Sequence, residues 1–341
     1  MTWEISGHDW AVDLLKGHIQ RGEVRHAYLF SGAAGIGKRT LALRFAQALN
    51  CPTPLAPGEP CRTCRVCRQI EQMSHVDLSV VQSEGEGMVL KVDQARELQQ
   101  TLALLPRELP YRVALLLRFH EANASAQNAL LKTLEEPPAR AILLITATSP
   151  EELLPTIVSR CEVLRLRPLA PEACAQVLIK RGVPAEEAQW LAHLSGGRPG
   201  YALNLHAQPD LLEARRRTLE DLLHLLGAPR RERFAYAERL TASRGKERER
   251  LLQTLPLWLS FWRDVMICAS GSGLSLTHLD FAEQIQRVAE QVGLARAAFV
   301  TRRLEEHLQR LESNPNMRLL VEMSLLEMPR LAEEVSAAPR E

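Results

Sequence analysis

The sequence SGAAGIGKRT at residues 31–40 is the feature that most constrains the fold of this 341-residue chain. It follows the apolar stretch AYLF and precedes RTLALRFAQAL, so a glycine-rich turn is predicted to join a strand to a helix. Gly32, Gly37 and Lys38 fit the phosphate-loop pattern, which ends in Gly-Lys and then Ser or Thr. In such loops, backbone N–H groups at the start of the helix bind phosphates and the lysine reaches the outer ones.

The residue after the lysine departs from this pattern. The Ser or Thr hydroxyl of the pattern holds Mg²⁺, and Arg39 stands in its place. Thr40 is no substitute, because one further residue turns the side chain by roughly 100° around the helix. The sequence therefore predicts a degenerate site and leaves ATP binding open. The residues of this predicted site are Gly32, Gly35, Gly37, Lys38 and Thr40.

A second departure lies at the end of the apolar stretch RVALLLRF. An ATPase places acidic residues at the end of a neighbouring strand, where they hold Mg²⁺ and orient water. Here the strand runs into Leu117 and Arg118, without a carboxylate. Glu121 lies further into the turn and is predicted to be a solvated turn residue. We therefore expect no intrinsic ATPase activity.

Four of the seven cysteines lie in the short segment CPTPLAPGEPCRTCRVC. Cys51, Cys61, Cys64 and Cys67 have nine, two and two residues between them. Four thiolates complete a tetrahedral shell around zinc, and the intervening Pro and Gly supply turns, so the spacing predicts a structural zinc site. Two disulfides or free thiols are the alternative, which a reducing compartment disfavours.

Composition excludes several classes of protein. Hydrophobic residues make up 46% and charged residues 24%, as in ordinary globular proteins. The net charge of +1 means that any contact with nucleic acid must be a local patch. The N-terminus is too polar for a signal peptide and no apolar run reaches the ~18 residues of a membrane span, so a cytoplasmic protein is expected.

Two arginine clusters are interpreted as solvated faces rather than DNA-binding patches: Arg215, Arg216 and Arg217, and Arg230, Arg231 and Arg233.

Short apolar runs alternate with helical patterns up to about residue 165. The runs are HAYLFSG, DLSVVQS, RVALLLRF, AILLITATS and CEVLRLRPL. Strands interleaved with helices predict an α/β fold with a parallel sheet, and the absence of clean alternation is typical of strands covered on both faces. From about residue 208 onward the pattern is entirely helical.

Together these features resemble the clamp-loader subunits of bacterial DNA polymerase III, which are members of the AAA+ superfamily. The resemblance rests on HAYLFSGAAGIGKRTLA, the four-cysteine segment, NALLKTLEEPP and LLPTIVSRC, and it continues through LESNPNMRLLVEMSLLEMP. It implies a RecA-like AAA+ domain over residues 1–166 with a zinc module at 51–67. A small helical lid domain over 167–207 and a helical collar domain for oligomerisation over 208–341 would follow.

Within that family, the motor subunits gamma and tau keep Lys-Thr-Thr after the glycines and an acidic strand end. This chain has neither, so it resembles the non-catalytic, stator-like subunit. The resemblance implies a hetero-oligomeric ring with gamma/tau and delta subunits, which loads the sliding clamp onto primed DNA. In the sensor-2 segment GGRPGYAL, Tyr201 stands where a nucleotide-sensing arginine is expected, and Arg198 lies upstream.

The collar helices of this family pack into a ring, which requires apolar positions on their outer faces. The apolar residues near the C-terminus fit helical spacing, and a plain intramolecular core is the alternative for each. These residues are Leu319, Leu320, Met323 and Leu326.

The resemblance also assigns Arg160, within Ser-Arg-Cys at 159–161, as an arginine finger that acts in trans on a neighbouring ATPase subunit. The alternative is an arginine paired with a local carboxylate such as Glu162. Two other functions stay open: an ATP-hydrolysing gamma/tau-type motor, and a zinc-dependent DNA-binding protein. In the preferred interpretation the chain is a component of the polymerase III holoenzyme, a DNA-directed DNA polymerase.

Overall fold

The computed structural model describes residues 3–83, 90–242, 245, 247–311 and 315–331. The chain forms two compact units. The first comprises Met1–Gly182 and Gly197–Ala202, and the second comprises Val183–Gly196 and Leu203–Glu341. The finer division at residues 166 and 207 stays a prediction. Residues 312–314 of the predicted last collar helix and residues 332–341 lie outside the described residues.

A parallel sheet of five strands forms the centre of the first unit. The strands are β1 (Ala27–Ser31), β2 (Leu78–Val81), β3 (Arg112–Leu116), β4 (Ala141–Ala147) and β5 (Glu162–Arg165). Their order is β2-β3-β4-β1-β5, and every neighbouring pair is parallel. Each strand lies within one of the five apolar runs, so the predicted α/β class is confirmed.

Helices bury both faces of this sheet. The helices of the first unit are α1 (Asp9–Arg21), α2 (Lys38–Asn50), α3 (Arg65–Glu71), α4 (Val92–Leu102), α5 (Ala124–Glu135), α6 (Pro155–Val158) and α7 (Pro171–Lys180). Tyr28 and Phe30 of β1 belong to a core with α1 and α2, whereas Leu29 belongs to a second core with α4 and α5. Because alternate residues of a strand point to opposite faces, both faces require apolar side chains.

The second unit is helical, as predicted from residue 208 onward. Its helices are α8 (Ala185–Leu194), α10 (Pro209–Gly227), α11 (Arg230–Leu240), α12 (Glu247–Ser270), α13 (Ala282–Arg310) and α14 (Met317–Glu327). Helix α13 is interrupted by a kink at Gly293, whose backbone is not helical. Helix α9 (Pro199–Ala207) begins in the first unit and ends in the second. Trp258, Phe261 and Trp262 are fully buried in the core of this unit. No helix within the described residues is both long enough and apolar enough to cross a membrane.

The apolar residues of α14 divide between its two faces. Leu320 is buried in the core of the second unit, whereas Leu319 and Leu326 are 53% and 43% exposed. Met323 is half-buried. Leu320 therefore belongs to the intramolecular core, which was the alternative interpretation. Leu319 and Leu326 are exposed and form an apolar outer face on this helix.

The prediction that the arginine clusters are solvated is wrong for Arg215 and Arg233. Arg215 makes a bidentate ion pair with Asp280, at 2.6 and 2.9 Å, and lies 2.6 Å from Nδ1 of His278. Burial and the neighbouring guanidinium lower the pKa of His278 to about 3. Arg216 remains exposed and pairs with Glu213 on the same helix, as a solvated residue would.

Arg233 is buried within the second unit and donates hydrogen bonds to five backbone carbonyl groups. The acceptors are the carbonyl oxygens of Leu225, Leu226, Leu325, Met328 and Pro329, at 2.6 to 3.1 Å. These carbonyls lie at the C-terminal ends of α10 and α14, where a helix leaves its last carbonyl groups without internal partners. Arg233 therefore ties together two helix ends that are remote in sequence.

We expect Arg233→Met to lower the thermal unfolding midpoint of the chain. The substitution keeps a long apolar side chain but leaves buried carbonyl groups unpaired, which costs about 1–3 kcal/mol for each unpaired group. The matched control is Arg231→Met, because Arg231 is exposed on the same helix. Equal midpoints for the two variants would contradict this role of Arg233.

Candidate functional site

The glycine loop joins β1 to α2, as the sequence predicts. Gly32, Gly35 and Gly37 have φ angles of 144°, 78° and 109°, and Gly37 directly precedes α2. Side chains rarely tolerate such φ angles, so this loop path requires glycine. The three predicted glycines therefore shape the loop.

Residues 197–201 of the same unit lie directly on this loop. The N–H of Gly200 donates a hydrogen bond to the carbonyl oxygen of Gly35 at 2.8 Å. A Cβ atom on Gly35 would lie 2.5 Å from the backbone nitrogen of Tyr201, and one on Gly200 would lie 2.8 Å from the carbonyl oxygen of Gly35. The Arg198 guanidinium stacks on the Tyr201 ring, 4.5 Å from its centroid. The segment that resembles sensor 2, in which Tyr201 stands in place of the expected arginine, thus makes a close backbone contact with the loop.

Lys38 binds the carbonyl groups of its own loop. Its Nζ donates to the carbonyl oxygen of Gly32 and, at 2.9 Å, to that of Ala33. Burial lowers the pKa of this ammonium group to about 8. Arg39 is exposed at the position of the missing hydroxyl, and Thr40 is half-buried. The lysine that contacts phosphates in an intact loop here stabilises the loop itself.

The end of β3 carries an arginine that is paired within the chain. Arg118 has a left-handed φ of 51°, and its N–H donates to Oγ1 of Thr146 at 2.9 Å. Its guanidinium donates to Oγ of Ser83 at 3.0 Å and lies 3.3 Å from Oε2 of Glu121. The side chain of Glu121 is only 17% exposed and accepts a hydrogen bond from Ser83. The prediction of a solvated Glu121 is wrong, because a short 3₁₀ turn brings it against Ser83 and Arg118.

The four predicted cysteines converge. The Sγ atoms of Cys51, Cys61, Cys64 and Cys67 all lie within 4.8 Å of one another. Three backbone N–H groups of the segment, those of Cys61, Cys64 and Cys67, each point to a cysteine sulfur at 3.4 Å. Such N–H···S bonds stabilise thiolate ligands, so these residues form a group that could hold a metal ion.

The cysteine segment is fixed to the N-terminal part of the first unit. The indole N–H of the buried Trp3 donates to the carbonyl oxygen of Gly58 at 3.0 Å. Lys16 of α1 pairs with Glu59 at 2.6 Å. The Thr53 hydroxyl and nearby backbone N–H groups lower the pKa of the Cys61 thiol to about 5. The spacing of the cysteines predicted their cluster, but no feature of the sequence indicated the contact between Trp3 and Gly58.

Arg160 lies between α6 and β5. Its guanidinium donates from Nη1 to the carbonyl oxygen of Thr156 at 2.9 Å and from Nη2 to Oε1 of Glu135 at 2.8 Å. The side chain is 34% exposed. Arg160 is thus paired with a carboxylate, as in the alternative interpretation, but the carboxylate is that of Glu135; Glu162, the example suggested from sequence, instead lies 3.4 Å from Arg25. The sequence reasoning missed Glu135, although it belongs to the quoted segment NALLKTLEEPP.

A parallel α/β sheet with a glycine loop after its β1 strand defines a protein of the phosphate-loop class, and here Arg39 follows the lysine and Arg118 follows the end of β3. Comparisons with known proteins identify the family within this class. Residues 7–170 match the family model described as DNA polymerase III, delta subunit. Over 92% of its length the chain is 30% identical to DNA polymerase III subunit delta′ of Bacillus subtilis, covering 93% of that protein.

Two further relatives extend the comparison. The chain is 37% identical to subunit delta′ of Pseudomonas aeruginosa, over 60% of this chain and 63% of that protein. It is 35% identical to subunit tau of Salmonella typhimurium, over 50% of this chain and 26% of that protein. The chain belongs to the DNA polymerase III subunit delta′ family.

We expect the isolated chain to show no Mg²⁺-dependent ATP turnover above background, and Arg39→Thr to leave this unchanged. The substitution restores the hydroxyl, but Arg118 still stands at the strand end and Gly200 still lies on the loop. Phosphate release from each purified protein is the measurement, with Arg39→Ala as the matched control. Robust turnover by the parent or by Arg39→Thr would contradict the interpretation.

Proposed function

We propose that this chain is the non-catalytic, stator-like subunit of a DNA polymerase III clamp loader in the cytoplasm. It would assemble with gamma/tau and delta subunits and help to load the sliding clamp onto primed DNA. Membership of the delta′ family carries this proposal, since 93% of the Bacillus subtilis subunit aligns with the chain. Mixing the chain with motor and delta subunits, and measuring clamp loading with and without it, is the direct test.

The contacts around the glycine loop support a non-catalytic role. Phosphates approaching the loop would have to displace the carbonyl groups that hold Lys38, and the backbone of Gly200 and Tyr201 lies directly against Gly35. Mg²⁺ would meet Arg39 and the guanidinium of Arg118 in place of a hydroxyl and a free carboxylate. These features disfavour the alternative of a gamma/tau-type motor.

In this proposal Arg160 acts in trans on the ATP site of a neighbouring motor subunit. Its position supports the role, because a partly exposed guanidinium lies in a short connection between a helix and a strand. An arginine finger stabilises the charge that develops on the transferred phosphoryl group, and its planar fork binds two phosphate oxygens. Arg160 would therefore contribute to hydrolysis at a site that this chain does not itself form.

We further propose that the four cysteines hold a structural zinc ion. Four thiol donors with no water-bearing position are typical of a structural rather than a catalytic site. The ion would fix residues 51–67 as a unit, and that unit contacts Trp3 and α1. Zinc would thus act by cross-linking the segment 51–67.

Arg160→Ala should leave the chain folded and able to join the loader, but lower the ATP hydrolysis stimulated by clamp and DNA. The loss at the affected site could approach the roughly 10³-fold effect of other fingers, although sites between motor subunits mask part of it. Steady-state turnover of the reconstituted loader is the measurement. Arg160→Lys is the control for shape and should rescue poorly, because an ammonium lacks the planar fork. Normal assembly with parental turnover would show that Arg160 is only a local ion-pair partner.

Purified protein should contain one zinc ion per chain after mild chelation. The Cys64→Ser variant should contain much less zinc, because three thiolates leave the tetrahedral coordination shell incomplete. Metal analysis of the two proteins is the measurement. Cys268→Ser is the matched control, since Cys268 lies in α12 of the second unit and is not one of the four clustered cysteines. Hydrogen exchange should rise in residues 51–67 and not in β1, β3 or β4. Parental zinc content in Cys64→Ser would refute the assignment.

A further inference from the structure

Arg160 is held at two points on different elements. One is the carbonyl oxygen of Thr156 in α6, and the other is the carboxylate of Glu135, the last residue of α5. A long arginine side chain has many rotamers, and each anchor removes part of that freedom. The two anchors together orient the plane of the guanidinium.

The two anchoring helices are themselves fixed to one another. The amide side chain of Gln127 in α5 accepts a hydrogen bond from the N–H of Leu154, at the start of α6, at 2.9 Å. The same side chain donates to the carbonyl oxygen of Ala122 at 3.1 Å, so both of its ends are used. Leu130 of α5 and Ile157 of α6 are fully buried in one core. The separation of Glu135 and Arg160 is therefore set by packed elements rather than by a free loop.

Glu135 occupies a position that its own helix disfavours. It is the last residue of α5, and Glu136 follows it. The C-terminal end of a helix carries partial negative charge, so cations are preferred there and carboxylates are unfavourable. The Arg160 guanidinium offsets this cost for Glu135. Departures from local preference that a distant residue compensates are typical of functional positions.

The anchors leave part of the guanidinium free for another ligand. An arginine has five N–H donors in a planar fork, and the contacts to Thr156 and Glu135 use two of them at 2.9 and 2.8 Å. A longer contact of 3.5 Å reaches the hydroxyl of Ser159. Because the pair is partly exposed, with 34% of Arg160 and 51% of Glu135 accessible, the fork can be approached from outside.

We propose that Glu135 is the positioning residue for Arg160, holding the guanidinium in the orientation in which it meets the phosphates of a neighbouring ATP site. This inference rests on the proposed finger role. Glu135 does not touch the nucleotide and acts only through Arg160. A positioned arginine loses less conformational entropy when the transition state forms, so Glu135 contributes to the rate of hydrolysis and not to ATP binding.

The test uses the reconstituted loader with substituted versions of this chain. The part of the turnover that depends on Arg160 is the rate with the parent minus the rate with Arg160→Ala. Glu135→Ala should lower this part about two- to fivefold, the scale of a partly exposed ion pair, with an unchanged KM for ATP. Glu135→Gln should retain most of it, because the amide oxygen still accepts a hydrogen bond from Nη2.

Two controls separate positioning from general effects of charge or folding. Glu136→Ala removes the same charge one residue further along and should behave as the parent. Glu135→Ala combined with Arg160→Ala should be no slower than Arg160→Ala alone, since a positioning residue has no effect without the residue it positions. Thermal unfolding midpoints of the single variants should match the parent.

The outcomes distinguish the two proposals. If Arg160→Ala lowers turnover while Glu135→Ala leaves it unchanged or raises it, Glu135 does not position the finger, and the finger itself stands. An additive loss in the double variant likewise overturns the positioning role. If Arg160→Ala leaves turnover at the parental rate, the finger role fails and the role of Glu135 fails with it.

Discussion

The parallel pairing of β1 between β4 and β5 determines where the important residues of the first unit lie. Carboxyl ends of parallel strands share one edge of the sheet, so the glycine loop after β1 meets the ends of β3 and β4 there. The N–H of Gly32 reaches the carbonyl oxygen of Thr148 at 3.0 Å, and the N–H of Arg118 reaches Oγ1 of Thr146 at 2.9 Å. The backbone thus retains the layout of a nucleotide site.

The polar groups at the carboxyl edge of the sheet form hydrogen bonds and ion pairs with other groups of the protein. Lys38 is bound to loop carbonyls, Arg118 is paired with Glu121, and Gly35 accepts a hydrogen bond from Gly200. The contacts of Lys38 and Arg118 would have to be broken before a phosphate could use either cation, and an unpaired buried polar group costs free energy. Contacts within the protein thus hold the loop in this shape.

Features set by local pattern could be predicted from the sequence, and features set by distant partners could not. The five strands were found because parallel strands buried on both faces are short apolar runs, and the cysteine cluster was found from its spacing. Arg233 looked like a surface arginine, because its acceptors near residue 325 lie 92 positions away or more. The prediction that Arg215 is solvated was wrong for the same reason, since its partner Asp280 is 65 residues further along the chain. The pairing of Arg160 with Glu135 rather than Glu162 depends on how α5 packs against α6.

We propose that this chain keeps the nucleotide loop as structure and does not use it for ATP. Isothermal titration of the isolated chain with ATP, with and without Mg²⁺, tests this claim most directly. The contacts of Gly200 and Lys38 with the loop predict no saturable binding under either condition. Saturable binding by the parent that disappears in Lys38→Ala would show that the loop still takes nucleotide, and would contradict the account.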